Sequence, residues 1–173
     1  MVIDDGVEVR GAARRGRSWQ LVTDQVMGGV SRGTLERGSV AGRPALRMRG
    51  PVMLENNGGF IQMALDLAPD GGDFDARDFT GIALDVLGNG ETYNIHLRTH
   101  DLTRPWQSYR QTFVAPAAWT THELAFDDFT PHRTVAPLNL ARLRRIGLVA
   151  IGRAFEADLA IGGVRFYSKP RDM

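Results

Sequence analysis

The chain has no cysteine, a single lysine (Lys169), almost no net charge and no long apolar run. Each absence removes a class of function. Without cysteine there can be no disulfide framework, thiolate metal site or cysteine nucleophile. With 21 basic against 20 acidic residues the formal net charge is +1. That is too little to steer a polyanion, so no nucleic-acid footprint is expected. No stretch approaches the ~20 apolar residues that a membrane-spanning helix needs. Residues 1–16 lack the apolar centre of a secretory signal. Asp4, Asp5 and Glu8, set among Arg10, Arg14 and Arg15, are out of keeping with a transit peptide. The expectation is a cytoplasmic protein whose residues 1–16 form an N-terminal arm.

Helical periodicity is scarce as well, and the dominant period is two. Ile61, Met63, Leu65 and Leu67 alternate with polar or small residues, as do Ile82, Leu84 and Val86, and Tyr93, Ile95 and Leu97. Similar runs cover Trp119 to Phe126, Ile146 to Ile151 and Asp158 to Tyr167, the last interrupted by Gly162-Gly163. Short alternating runs separated by turn residues mark a sandwich or barrel. Asn89-Gly90 predicts a hairpin. Gly71-Gly72, Gly162-Gly163, Pro69, Pro116 and Pro131 predict turns or strand breaks. Only Leu138 to Arg145, led by Pro137, has a helical pattern. The predicted fold is one all-β domain over residues 17–170, an antiparallel β-sandwich of jelly-roll type with one short helix.

Two glycine-rich strings stand out near the start. Trp19 is followed by Asp24-Gln25-Val26-Met27-Gly28-Gly29-Val30-Ser31, and Asn56-Asn57-Gly58-Gly59-Phe60 comes later. Paired glycines lose much backbone entropy on ordering, so they suit tight turns or close backbone approaches. Asp24 is expected to accept backbone N–H bonds in its turn, and Asn57 to do the same for Gly58-Gly59. The two loops are candidates to meet in space.

In this order the strings resemble those of the complex I intermediate-associated protein 30 family. Phe79 to Leu84 with Gly88-Asn89-Gly90 and Tyr93 resembles its middle hairpin. Tyr109 to Phe113, Trp119, Phe126 to Phe129 and Ile161 to Tyr167 resemble its later strands. The resemblance spans about Arg17 to Ser168 and implies a galactose-binding-like jelly roll, akin to some carbohydrate-binding modules. It further implies a non-enzymatic protein, because the mitochondrial members assist assembly of the respiratory NADH:ubiquinone oxidoreductase. Without a long targeting extension, the chain resembles a bacterial stand-alone member.

Several patterns suggest chemistry and then fail on context. Gly29-Val30-Ser31-Arg32-Gly33 matches a nucleophile elbow, but no helix pattern follows it. Gly88-Asn89-Gly90 leads into a strand, so it offers no helix N-terminus to a pyrophosphate. His96 and His100 on one strand would lie about 13 Å apart, too far to share an ion. Asp70, Asp73, Asp75 and Asp78 lack EF-hand spacing and are read as solvated loop acids. No catalytic group, metal site or cofactor is expected.

The remaining candidate site is a polar strand face. Asn94, His96 and Arg98 project opposite Tyr93, Ile95 and Leu97, with Arg110 on the next strand and Trp106 between them. Such a face is either a recognition surface or the solvated side of an antiparallel sheet. The expected function is a binding module that holds a protein partner, with respiratory complex subunits the implied candidates. The alternative is a carbohydrate-binding module on the same fold.

Overall fold

Alternation of apolar and polar residues decides which side of each strand is buried, and turn residues decide where the chain changes sheet. The computed structural model describes residues 1–4 and 18–170. The described strands are β1 (Val2–Asp4), β2 (Gln20–Thr23), β3 (Thr34–Val40), β4 (Arg43–Val52), β5 (Phe60–Asp66) and β6 (Gly81–Gly88). They continue with β7 (Thr92–Thr99), β8 (Ser108–Val114), β9 (Thr120–Ala125), β10 (Thr130–His132), β11 (Leu143–Ile151) and β12 (Phe155–Tyr167). One sheet runs β3-β4-β12-β6-β9, with β1 also pairing β12, and the second runs β10-β8-β7-β11-β5-β2. All pairings are antiparallel, as the jelly-roll expectation requires. Val2–Asp4 fall within the expected arm yet form a strand in which Ile3 and Asp4 are buried. Most of the remainder of that arm lies outside the described residues.

The inward rows from the two sheets meet in one core. Ile61, Met63, Leu65, Ile82, Leu84, Val86, Tyr93, Ile95 and Leu97 are all buried there. Each such side chain contributes roughly 1.5–3 kcal/mol by leaving water. Phe166 stacks on Phe74 and Phe79, with ring centroids 5.0 and 5.1 Å away, and seals one end.

Four local expectations are corrected. Asn89-Gly90 is a crossover between sheets, not a hairpin: β6 is already flanked by β12 and β9, and β7 by β8 and β11. Asn89 serves the crossover by donating to Glu156 O and accepting from Tyr93 Oη. The segment Leu138–Arg145 makes only a single 3-10 turn, Leu140–Arg142, before β11 begins. Leu143 is drawn into a bridge with Phe74, and that tertiary pairing wins over the weak helical pattern.

Gly162-Gly163 does not break a strand. It is a bulge within the 13-residue β12. The extra residue shifts the inward set from Ala157, Leu159 and Ile161 to Val164 and Phe166, so both halves still face the core. Pro131 lies inside β10, an edge strand where a missing N–H costs least.

Gly50 fixes how the chain enters the site described next. Its φ is +150°, and a Cβ there would lie 2.0 Å from Arg32 O. Both the neighbouring backbone and the dihedral refuse a side chain. Gly50→Ala is expected to lower stability by roughly 2–4 kcal/mol, read as a lower urea midpoint with an unchanged slope.

Candidate functional site

Two clusters have geometry beyond simple packing. The first joins the two glycine-rich strings. After β2, Asp24–Met27 forms a 3-10 turn that Thr23 caps and Gly28 closes at φ +85°. Asp24 is fully buried. Its Oδ1 accepts from the Ser31 N–H at 2.9 Å. Its Oδ2 accepts from the Ser31 hydroxyl at 2.5 Å, the Gly59 N–H at 2.6 Å and the Phe60 N–H at 3.3 Å. Ser31 Oγ in turn accepts from the Met53 N–H at 2.8 Å. One carboxylate thus holds the segments before β3, after β4 and at the start of β5.

The glycines follow from that carboxylate. A Cβ on Gly29 would lie 2.4 Å from Asp24 Cγ, and one on Gly58 would lie 2.5 Å from Asp24 Oδ2. Asn56 and Asn57 both take positive φ, which asparagine tolerates better than most residues. Asn56 Nδ2 donates to Gly28 O, so the second loop reaches back to the first. The bonds expected from Gly58-Gly59 to Asn57 go elsewhere: the Gly58 N–H donates to Glu55 O and the Gly59 N–H to Asp24. Trp19 Nε1 donates to Asp4 Oδ2 at 2.8 Å and ties β1 to the chain entering β2.

Burial by itself raises the Asp24 carboxyl pKa. The Ser31 hydroxyl and the N–H groups of Gly59, Ser31 and Phe60 outweigh it and hold the group below the ordinary carboxylate range. Ser31 is fully buried with its hydroxyl committed to Asp24, and Gly29 to Gly33 runs into a strand, not a helix. An exposed nucleophile is therefore not what this segment presents. Around the knot, Val26, Met27, Met53 and Leu54 stand exposed on the joined turns, Val26 to 73% and Met27 to 61%.

The second cluster is the outward face of β7 and β8. Asn94 sits opposite Thr112 and His96 opposite Arg110. His96 retains 9% exposure, and its Nε2 is buried without a hydrogen-bond partner. Burial, then Arg110 and His132, push the His96 pKa down to about 3, so the ring is neutral at pH 7. Arg110 Nε donates to Ser108 Oγ at 2.8 Å. Arg98 is not free on this face: its Nη1 lies 2.6–3.0 Å from the carbonyls of Arg104, Pro105 and Gln107 and clasps the β7–β8 loop. Trp106, on that loop, is 55% exposed, with the Arg104 guanidinium 5.9 Å from its ring centroid.

His132 and Gly147 also belong to this face, a placement that the sequence did not signal for either. β10 brings in His132, opposite Ser108, and β11 brings in Gly147, opposite His96. Both pairings join strands distant in sequence. Of the other candidates, His100 Nδ1 meets Asp73 Oδ1 at 2.5 Å, and Asp75 pairs with Arg77. Among the described residues no three His, Asp or Glu side chains converge as a metal site would require.

Asp24→Ala would strand the buried N–H groups of Ser31 and Gly59 and the partly buried one of Phe60, at an expected cost of roughly 3–5 kcal/mol, while the Ser31 hydroxyl could turn to Met53 O at 3.1 Å. Asp24→Asn should recover little, because its amide hydrogens would face donors. Chemical denaturation of both variants checks this. For His96 the sign is opposite to that of a salt-bridged histidine. The unfolded ring takes up a proton below about pH 6.5, while the folded ring resists until about pH 3. The stability contributed by the neutral ring is thus present above pH 6.5 and lost as pH falls through that interval. His96→Gln should flatten the slope of unfolding free energy between pH 6.5 and 4.

Known structures share this architecture. The chain superposes on the family 11 carbohydrate-binding module of a Clostridium thermocellum cellulosomal cellulase with a TM-score of 0.75 at 12% identity, covering 98% of this chain and 94% of that one. The same organism's family 11 module in complex with a β-1,3-1,4-mixed-linked tetrasaccharide gives 0.73 at 12% identity, covering 96% and 94%. Its family 30 module gives 0.61 at 14% identity, covering 79% and 83%. At such identity the likeness establishes the fold alone. No curated protein matches the sequence. Among the described residues no helix is long and apolar enough to cross a membrane. Residues 11–161 match the family model of complex I intermediate-associated protein 30, and the chain belongs to that family.

Proposed function

We propose that this protein is a non-enzymatic binding module that acts through protein contacts, in the manner of assembly proteins for the respiratory NADH:ubiquinone oxidoreductase. The family and the sandwich fold are non-catalytic kinds of domain. The observation that carries the reading is the platform around Asp24. Four apolar side chains are held out in solvent on two turns that a buried carboxylate makes rigid. Rigid exposed apolar groups lose little entropy on docking, so they suit a hot spot for a partner. Their place in the family's own motif, Val26-Met27 beside Gly28-Gly29, supports assigning them to partner binding.

The second reading is glycan binding. It draws on the fold shared with carbohydrate-binding modules and on exposed Trp106, a ring that could stack on a sugar. Against it, Arg98, one of the planar polar groups expected to serve that face, is spent on the carbonyls of the β7–β8 loop.

One experiment separates the two. The tagged chain is recovered from the cells that encode it and assayed for retained oxidoreductase subunits. The same protein is then run through mixed-linked β-glucan in affinity electrophoresis. The expected result is subunit capture that a Met27→Glu, Leu54→Glu double variant weakens by roughly tenfold at unchanged thermal stability. Repeated recovery of no subunit, with glucan retardation that Trp106→Ala abolishes, would replace the protein-contact reading with the glycan one.

A further inference from the structure

The sandwich treats its arginines in two ways. On the first sheet they are paired: Arg43 and Arg165 meet Asp85 at 2.7 and 3.0 Å, and Arg47 meets Asp158 at 2.7 Å. On the second sheet, at the β7-β8-β10 side, the reverse holds. Among the described residues no carboxylate lies within ion-pair distance of Arg110, His96, His132 or Arg133.

These groups are neighbours by register. His96 and Arg110 are directly opposite, at the roughly 5 Å between Cβ atoms that cross-strand partners keep. Arg110 is opposite Thr130, and His132 is opposite Ser108, one diagonal step from Arg110. The Arg110 Nε–H···Ser108 bond turns its guanidinium toward that diagonal and leaves both Nη groups for another acceptor. Beside His96 the sheet floor is Gly147. A Cβ there would collide with the Gln62 carboxamide, whose Oε1 would be 2.1 Å away, so the Gln62 amide covers the gap.

The electrostatics agree with the geometry. Burial, then Arg133, lowers the Arg110 pKa. Burial, then Arg110 and Arg133, lowers that of His132. Every charged influence on the cluster is of its own sign. A half-buried guanidinium beside two imidazoles, one with an unpartnered ring nitrogen, lacks a compensating negative group.

We propose that His96, Arg110 and His132 form a binding site for a tetrahedral oxyanion of the phosphate class, on the outward face of the second sheet at the edge opposite the Asp24 platform. A guanidinium fork and imidazole N–H groups are donors matched to a phosphate's several acceptor oxygens. The anion supplies the charge that the protein omits there. A phosphate monoester on a larger ligand and free inorganic phosphate share this chemistry. The site is independent of the protein-contact reading, because it uses other strands and other residues.

Titration with inorganic phosphate at constant ionic strength, followed by the imidazole resonances of His96 and His132, tests the site. Sodium acetate and sodium chloride serve as comparators, and glucose 6-phosphate as a monoester. The expected result is saturable shifts of both histidines with phosphate, non-saturating drift with acetate and chloride, and at least tenfold weaker phosphate binding in Arg110→Gln. Tighter binding of the monoester would place the source on a larger ligand, and equal binding would place it with the free ion. Should Arg110→Gln fail to fold, His132→Gln carries the same expectation. Linear shifts with phosphate, saturation by acetate at the same concentration, or unchanged affinity in the folded variants would overturn the site.

Discussion

A single buried carboxylate holds the strand ends of both sheets together at one end of the sandwich. Asp24 follows β2 and Gly59-Phe60 opens β5, both in the second sheet, whereas Ser31 leads to β3 and Met53 follows β4, both in the first. The four donors on Asp24 and the Ser31–Met53 bond therefore clamp the sheets at a place where neither ladder can. Desolvation works against an ionised group in such a position, and only a full set of donors makes it tolerable. Gly29 and Gly58 are the steric price of that carboxylate. Their absent side chains are the space it occupies.

Rigidity at this end gives the exposed Val26, Met27 and Leu54 a meaning they would lack on a loose loop. An apolar side chain on a mobile turn must be ordered before it can bind, while one on a clamped turn is already placed. The structural demand of the clamp and the proposed contact surface thus lie in the same few residues.

The β7-β8-β10 side of the second sheet departs from the first sheet in how it handles charge, whereas Arg145 on β11 pairs with Asp66 on β5. Where Asp158 raises the pKa of Arg47, Arg110 has only burial and Arg133 acting on it, and both lower it. The sandwich core, whose residues run from Ile3 to Phe166, takes the side chains of the opposite, inward face of that sheet, among them Tyr93, Ile95, Leu97 and Tyr109. The proposed oxyanion site uses that outward face.

Period-two alternation was enough to place the core rows of β5, β6 and β7, because inward and outward positions there never slip. The glycine strings were enough to mark a demanding turn at Asp24. Local pattern failed wherever a distant partner decided the outcome. Asn89-Gly90 has the residues of a hairpin, yet β6 and β7 each already had two neighbours, so the turn became a bridge between sheets. Gly162-Gly163 has the look of a break, yet pairing on both sides kept β12 continuous through a bulge. His96 and Arg110 were visible as polar residues on one face, but His132 joins them only through the β8–β10 pairing, and Arg98 leaves them only because a loop folds onto it. The order of side chains along a strand is written in the chain. Which strand lies beside it is settled only when the sheets close around a common core.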